Sequence, residues 1–290
     1  MSIRTRLLLI ALLATAFPAL LVLARFLQER DAAVADDTAR LSAMAHSRAV
    51  ALDEKIQGTA QLLYGLARAR DLATEDRAAC SAFLSEVREA YPQFTGILTV
   101  RPDGRLFCDS LRSGRELDLR DRAYFKAALA SRGAVALEPT FGRLTGQAVL
   151  QVAYPARTST GELQFVLLAS LRLQPLVQLE PGLGVPGTKL MLVDHQGLVL
   201  AASGDAQPGT VAGSAADAVV QRFASGQASA AHTVLAGSSG RPTTWALAEP
   251  ALTRTARLHV LAGVANDELT AGPNRRFVQD ITLLGGVSQY

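Results

Sequence analysis

A strand–turn–strand pattern occurs twice in this chain, at residues 97–110 and 190–203, an offset of 93 residues (190 − 97). In the first copy Asp103-Gly104 supplies the turn signal between two runs of β-forming residues. Aligned without gaps, the copies match at Val100 with Val193, Gly104 with Gly197, Leu106 with Val199, and Ser110 with Ser203. Convergent turn chemistry could produce such matches, but each copy is also followed by a polar loop, a predicted short helix and further strands. The pattern therefore predicts two small sheet-based modules in series.

The remaining strand patterns fall into the same two groups. They lie at 147–154 and 163–173 in the first module, and at 230–235, 243–248 and 257–264 in the second. A glycine- and proline-rich segment at 181–187 separates the groups and is typical of a joint. With 290 residues, the chain is long enough to build two domains that each have a hydrophobic core.

A long amphipathic helix is predicted ahead of both modules. Residues 31–72 contain no proline and only two glycines, Gly58 and Gly65. Apolar residues recur at close to the helical period, at Leu41, Met44, Leu52, Ile56, Leu63 and Leu66. This helix would be roughly 60 Å long, and we assign residues 28–74 to it as a stalk. A second helix is predicted at 75–90 and is ended by Tyr91-Pro92.

An uncharged segment precedes the stalk. Residues 7–24 carry no charge, with Arg4 and Arg6 before them and Arg25 after them. A run of this length predicts a transmembrane helix, which we place at 7–27 after a cytoplasmic tail at 1–6. The leading arginines favour an orientation in which everything after the span lies outside the cytoplasm. A cleaved signal peptide is the alternative.

The C-terminal residues 271–290 have two interpretations. They are either the start of a second, incomplete membrane segment or an amphipathic tail. Residues 277–290 follow Arg275-Arg276 and include Asp280. As a helix they would reach about 21 Å, which is short of a hydrocarbon core of about 30 Å.

The chain has two cysteines, Cys80 in a predicted helix and Cys108 at the end of a predicted strand. Outside the cytoplasm such a pair can form a disulfide, which would contribute about 3–4 kcal/mol on the loop-entropy model. The alternative is two buried free thiols.

Several classes of function find no support. The histidines His46, His195, His232 and His259 are scattered, with no pair at metal-ligand spacing. Gly182-Leu-Gly-Val-Pro-Gly187 has the letters of a dinucleotide fingerprint, but Pro186 lies within it and a predicted strand, not a helix, follows it. No Gly-x-Ser-x-Gly elbow occurs, and the net charge of +3 is spread along the chain without a basic block. We predict no catalytic residue, metal, cofactor or nucleic-acid partner.

Residues 121–129 carry the main candidate for a binding site. Arg122, Tyr124 and Phe125 stand at the predicted start of a short helix between two strands. If Arg122 points into the module, its planar guanidinium can bind a carboxylate in a bidentate manner beside aromatic walls. In the alternative, Phe125 packs inward while Arg122 pairs with Asp118 or Asp121 at the surface.

Taken together, these features resemble the double Cache family of extracytoplasmic sensors, which have two PAS-like modules. The resemblance covers about residues 30–270. Its specific parts are Tyr91-Pro-Gln-Phe94, Pro102-Asp-Gly104, Arg122-x-Tyr-Phe125, Glu138-Pro139, Thr145-Gly146, Pro155 and the second hairpin with Asp194 and Gly197. Such regions occur in bacterial histidine kinases, chemoreceptors and diguanylate cyclases.

The resemblance implies a ligand site in the membrane-distal module, here residues 75–172, with a proximal module at 173–270. Arg122, Tyr124 and Phe125 would form one wall of the pocket, and Arg143, Thr145, Gln151 and Tyr154 the other. The amino-acid-binding branch of the family holds the ligand amine with an aspartate in the last strand of this module. Ser170 stands near that position, so a simple carboxylate is a more plausible ligand than an α-amino acid.

The complete prediction is an α+β chain in which a long helix carries two PAS-like modules with antiparallel sheets, preceded by a transmembrane helix. It would be a single-pass inner-membrane sensor with its folded part in the periplasm. A homodimer would signal to a cytoplasmic transmitter, such as a histidine kinase or diguanylate cyclase, and the chain itself would not be an enzyme. The alternative is a periplasmic interaction or assembly module that binds no ligand.

Overall fold

A computed structural model describes residues 3–72, 75–179, 185–194, 198–204, 232–236, 242–252 and 258–286. For residues 4, 6–15, 18–19, 232–236 and 280–286 it describes the backbone alone. Among the described residues, no helix combines the length and the apolar character that crossing a membrane requires. The predicted span at 7–27 includes residues 7–15, 18 and 19, whose side chains lie outside this description.

The stalk is a single helix, α1, that runs over Ile3–Leu66. One face is buried at the apolar positions that the helical period predicts, including Leu41, Leu52, Ile56 and Leu63. The helix ends at Leu66, before the predicted end of the stalk at residue 74. Its last turn tightens through hydrogen bonds such as that from the Arg68 N–H to the Gly65 carbonyl, and a 3₁₀ turn follows at Arg70–Leu72.

The distal module begins with helix α2, Arg77–Ala90, where the Asp76 carboxylate accepts hydrogen bonds from the N–H groups of Ala78 and Ala79. Its antiparallel sheet has the order β2-β1-β5-β4-β3. The strands are β1 Phe94–Val100, β2 Leu106–Asp109, β3 Ala136–Phe141, β4 Ala148–Arg157 and β5 Leu163–Arg172. Helices α1 and α2 cover one face of this sheet, and the short helix α3, Ala123–Ala130, covers the other.

The predicted disulfide is confirmed. Cys80 of α2 is bonded to Cys108 of β2, with the two Cα atoms 6.0 Å apart. The alternative of two free thiols is therefore excluded. The bond fastens α2 to the edge of the sheet.

The proximal module repeats this sheet in the order β7-β6-β10-β9-β8. Its strands are β6 Lys189–Val193, β7 Val199–Ala202, β8 His232–Ala236, β9 Pro242–Ala248 and β10 His259–Ala265. The predicted strands of this module are thus confirmed. Gly197 and the segment between residues 204 and 232, where a polar loop and short helix are predicted, lie outside the described residues.

Local details of the two hairpins coincide at the same offset of 93 residues. The register shifts between Thr99 and Val100 in the first sheet and between Leu192 and Val193 in the second. The hydroxyl of Ser110 accepts a hydrogen bond from the Ile97 N–H at 2.9 Å, and that of Ser203 accepts one from the Leu190 N–H at 2.8 Å. The same bulge and the same hydrogen bond between a serine hydroxyl and the backbone therefore recur in both modules.

The C-terminal residues form helix α4 over Asn266–Gly286, which begins directly after β10 and earlier than the predicted boundary at 271. Pro273 lies inside the helix. The helix returns along α1, where the rings of Phe26 and Phe277 stack with their centroids 4.0 Å apart. Residues 287–290 lie outside the description.

Candidate ligand-binding site

A small cleft lies in the distal module on the face of the sheet that carries α3. Six of the eight predicted site residues border it, namely Arg122, Tyr124, Arg143, Thr145, Gln151 and Ser170. The cavity measures about 30 Å³. This is small beside ligand pockets of about 300–1,000 Å³, so an organic ligand requires the surrounding loops to move apart.

The floor of the cleft is polar and comes from two neighbouring strands. Gln151 of β4 pairs directly with Ser170 of β5, and their side chains are only 4% and 6% exposed. The Ser170 hydroxyl donates a hydrogen bond to Oε1 of Gln151 at 2.9 Å. On the other side of Ser170 stands Gly96 of β1, which has no side chain and leaves the floor open. A hydrogen-bonded pair of neutral polar groups therefore faces the cavity.

Arg122 stands at the N-cap of α3 and borders the cleft without a carboxylate partner. Its guanidinium donates to Thr140 Oγ1 at 3.2 Å and to the Phe141 carbonyl at 3.4 Å, while its buried Nε has no hydrogen-bond partner. No acid of the described residues lies within 4.0 Å of it. The first turn of α3 is capped instead by Glu138 of β3, whose Oε2 accepts from the Tyr124 N–H at 2.8 Å.

The two acids expected as surface partners of Arg122 pair with other arginines. Asp118 binds Arg120, and these hydrogen bonds lower the pKa of the Asp118 carboxyl to about 2. Asp121 accepts a hydrogen bond from Arg143, which lowers the pKa of Asp121 below its usual range. The surface pairing of Arg122 with Asp118 or Asp121 is therefore not the arrangement found.

The predicted aromatic wall is provided by Tyr124 alone. Tyr124 is 3% exposed, and burial raises the pKa of its phenol to about 12, so it remains a hydrogen-bond donor at physiological pH. Phe125 does not border the cleft but packs in the apolar cluster around α3. This placement corrects the expectation for Phe125, because the next residue along a helix points about 100° away from its neighbour.

Tyr154 is a second correction. It lies on the opposite face of the sheet, in the apolar cluster against α1, with its ring edge toward Tyr64 at 6.1 Å between centroids. Gln151 and Tyr154 are three residues apart on β4, and residues at odd spacing point to opposite faces of a strand. Of these two residues, Gln151 therefore faces the cleft and Tyr154 cannot.

Sequence reasoning missed the apolar walls. These are Leu98 and Leu168 from the sheet, and Leu111, Leu117, Leu119 and Leu144 from the loops. Leu168 is two residues from Ser170, so the strand period could have identified it. The loop residues carried no such signal. The loop after β2, which carries Leu111, Leu117 and Leu119, is anchored by the buried Asp109, whose carboxylate accepts from the N–H groups of Leu111 and Ser113 and from the Ser113 hydroxyl.

The sequence matches no protein-family model and no curated protein. Solved structures share its fold. The extracellular domain of rpHK1S-Z16, assigned as a histidine kinase, has a TM-score of 0.64 at 18% identity over 82% of this chain and 96% of that one. The sensor domain of the V. cholerae histidine kinase DctB has a TM-score of 0.61 at 15% identity, over 82% and 98% of the two chains. The chain has the fold of these sensor domains.

The sensor fold also includes ligand-bound structures. The ligand-binding domain of the Campylobacter jejuni chemoreceptor Tlp3, in complex with 4-methylisoleucine, has a TM-score of 0.58 at 14% identity over 83% of this chain and 93% of that one. The fold that the resemblance to double Cache sensors implied is thereby confirmed. Among the residues that the structure describes, no group of His, Cys, Asp and Glu side chains could hold a metal ion.

Proposed function

We propose that this chain is the extracytoplasmic sensor region of a membrane-anchored receptor, and that the distal module binds a small organic carboxylate. The observation that carries this proposal is Arg122, a cation at the cleft whose buried Nε has no hydrogen-bond partner and whose guanidinium forms no salt bridge, among the residues that the structure describes. A carboxylate would supply both the missing charge and the missing acceptor. The Tyr124 phenol, the neighbouring residue on the same wall, can donate a further hydrogen bond.

The neighbouring structures support the same class of ligand. Tlp3 is bound to 4-methylisoleucine and the Pseudomonas fluorescens chemoreceptor CtaA to L-isoleucine, and both compounds carry a carboxylate. If the chain were a ligandless assembly module, we would expect Arg122 to turn outward and pair with an acid at the surface. Because Arg122 instead contacts Thr140 and Phe141 at the cleft, the sensor is the function we propose.

Signal transmission would use the continuous stalk. Helix α1 packs against β4 and β5 of the distal module and against β9 and β10 of the proximal module. A ligand that binds one arrangement of the loops better than another would shift the helix relative to the proximal module. We propose that residues 7–27 anchor the chain in the inner membrane, that two copies associate, and that the output is a cytoplasmic transmitter. We assign no catalytic step to this chain.

Calorimetric titration of the full chain in detergent with lactate, malate, succinate, alanine and aspartate tests the site. We expect at least one of these carboxylates to bind, and Arg122→Ala to weaken it at least tenfold, since a charge-assisted hydrogen bond contributes about 1.5–3 kcal/mol. Arg120→Ala is the matched control, because Arg120 lies in the same loop but is exposed and paired with Asp118. Equal affinity in wild type and Arg122→Ala, or equal losses in both variants, would contradict the assignment.

A further inference from the structure

The floor of the cleft carries information about the second end of the ligand, the end that does not meet Arg122. Ser170 donates its hydroxyl proton to Gln151 Oε1, so one of the two lone pairs of this amide oxygen is already engaged. The amide NH₂ is the remaining functional group of Gln151, which borders the cleft. With its oxygen held by Ser170, the amide is oriented to offer hydrogen-bond donors to whatever occupies the cavity.

The charges around the cleft also disfavour a positively charged group on the ligand. None of the described residues that line it is an aspartate or glutamate, whereas Arg122 and Arg143 both are lining residues. Two acids of the adjoining segments are already engaged, Asp121 with Arg143 and Glu138 with the N-terminus of α3. An ammonium group would lose its hydration here without gaining an anion, and it would lie near two guanidinium groups.

We infer that the cleft selects carboxylic acids whose second group is an oxygen acceptor, such as a hydroxyl, a carbonyl or another carboxylate, and rejects α-amino acids. Gln151 is the residue that determines this specificity, and Ser170 is a positioning residue that acts through the Gln151 amide. The inference rests on the proposed carboxylate site and adds the chemistry of the opposite pole of the ligand.

Two pairs of probes isolate the second group of the ligand. L-lactate and L-alanine differ only in a hydroxyl against an ammonium, and so do L-malate and L-aspartate. Titration of the wild-type full chain with both pairs should give at least tenfold tighter binding of the hydroxy acid in at least one pair. An amino acid that binds as tightly as its hydroxy counterpart in both pairs overturns the inference.

Gln151→Glu is the decisive variant because it is isosteric and replaces the donor NH₂ by a carboxylate oxygen. It should weaken the hydroxy acid at least tenfold and shift the preference toward the amino acid. Ser170→Ala should narrow the preference between the two partners several-fold while the Arg122-dependent binding of the carboxylate persists, a change in ratio that a purely structural role would not produce. An unchanged ratio in both variants overturns the inference.

The experiments distinguish failure of the proposed function from failure of this inference. If no carboxylate binds, or if Arg122→Ala has no effect on binding, the proposed function and this inference both fall. If carboxylates bind through Arg122 but alanine and aspartate match lactate and malate, only the inference about the second pole falls. Melting temperatures of the unliganded variants, measured by circular dichroism, show whether each variant is folded.

Discussion

The distal and proximal modules each contain a sheet of the same topology, but the corresponding faces of the two sheets are used differently. The two sheets have the same strand order and a bulge at corresponding positions. In each, a serine hydroxyl accepts a hydrogen bond from a backbone N–H of the neighbouring strand. Even the apolar positions correspond, since Leu98 of the distal face matches Met191 of the proximal face and Leu168 matches Leu261, again 93 residues apart. The scaffold itself therefore does not make a binding site.

The difference lies at the floor. In the distal module Ser170 stands between Gly96 and Gln151, whereas in the proximal module its counterpart Gly263 stands between Lys189 and Trp245. The Trp245 ring lies over Gly263, so closely that a Cβ there would be 2.4 Å from it. The position that carries polar groups and a cavity in one module is thus covered by an indole in the other. This contrast supports the proposal that a ligand binds in the distal module.

The largest expected effect comes from removing that indole. Trp245→Ala should lower the free energy of unfolding of the proximal module by about 3–5 kcal/mol, because a large buried side chain is deleted from a packed face. Ligand affinity in the distal cleft should not change. Urea unfolding followed by circular dichroism measures the loss, since Trp245 is the only tryptophan and its fluorescence disappears with it. A decrease in the free energy of unfolding of less than about 1 kcal/mol would show that the Trp245 ring does not fill this face of the sheet as we infer.

Removing the disulfide should affect the other module. Cys80→Ala with Cys108→Ala should destabilise the distal module by roughly 3–4 kcal/mol, because the bond closes a loop across a separation of 28 residues. Amide hydrogen exchange resolves the two modules, and protection should fall in α2 and β1–β5 but not in β6–β10. Equal losses in both sheets would mean that the modules unfold as one unit.

Gly263→Ala tests the close contact directly. The added methyl group must displace the Trp245 ring, which we expect to cost about 1–3 kcal/mol as over-packing. Gly58→Ala in α1 is the matched control, because a Cβ there meets nothing within 4 Å and the substitution should stabilise the helix by about 0.5–1 kcal/mol. Thermal unfolding of both variants gives the comparison, and effects of the same sign would refute it.

The smallest expected effect concerns how the stalk holds the proximal module. The carboxylate of Asp53 on α1 accepts hydrogen bonds from the N–H groups of Ala251 at 2.7 Å and Leu252 at 2.9 Å. Asp53→Asn should cost about 1 kcal/mol, because the charge and one of the two acceptors are lost. It should also speed the hydrogen exchange of these two amides. Glu54→Gln, at the exposed neighbouring position, is the control. Identical hydrogen-exchange rates of the two amides in both variants would contradict a role for Asp53 in holding the proximal module.

The candidate site shows how far pattern reasoning reaches. Arg122 was identified from its place at a predicted helix start, whereas Gln151 and Ser170 were assigned from the resemblance to double Cache sensors, and all three border one cleft. Tyr154 was assigned to the cleft although its odd spacing from Gln151 puts it on the other face, so a stricter use of the strand period would have excluded it. The pairing of Asp121 with Arg143 had no signal, since 22 residues separate them.

The sequence by itself determined the long helix and the two repeated hairpins, and it identified Cys80 and Cys108 as a pair able to form a disulfide. These features follow from periodicity and turn chemistry, which act over a few neighbouring residues. The tertiary structure alone decided that Arg122 forms no salt bridge with a described acid, that the Ser170 hydroxyl donates to the oxygen of Gln151, and that Trp245 covers Gly263. Each of these depends on which distant strands and loops become neighbours, because the register of a sheet brings together residues whose separation along the chain carries no information about their contact.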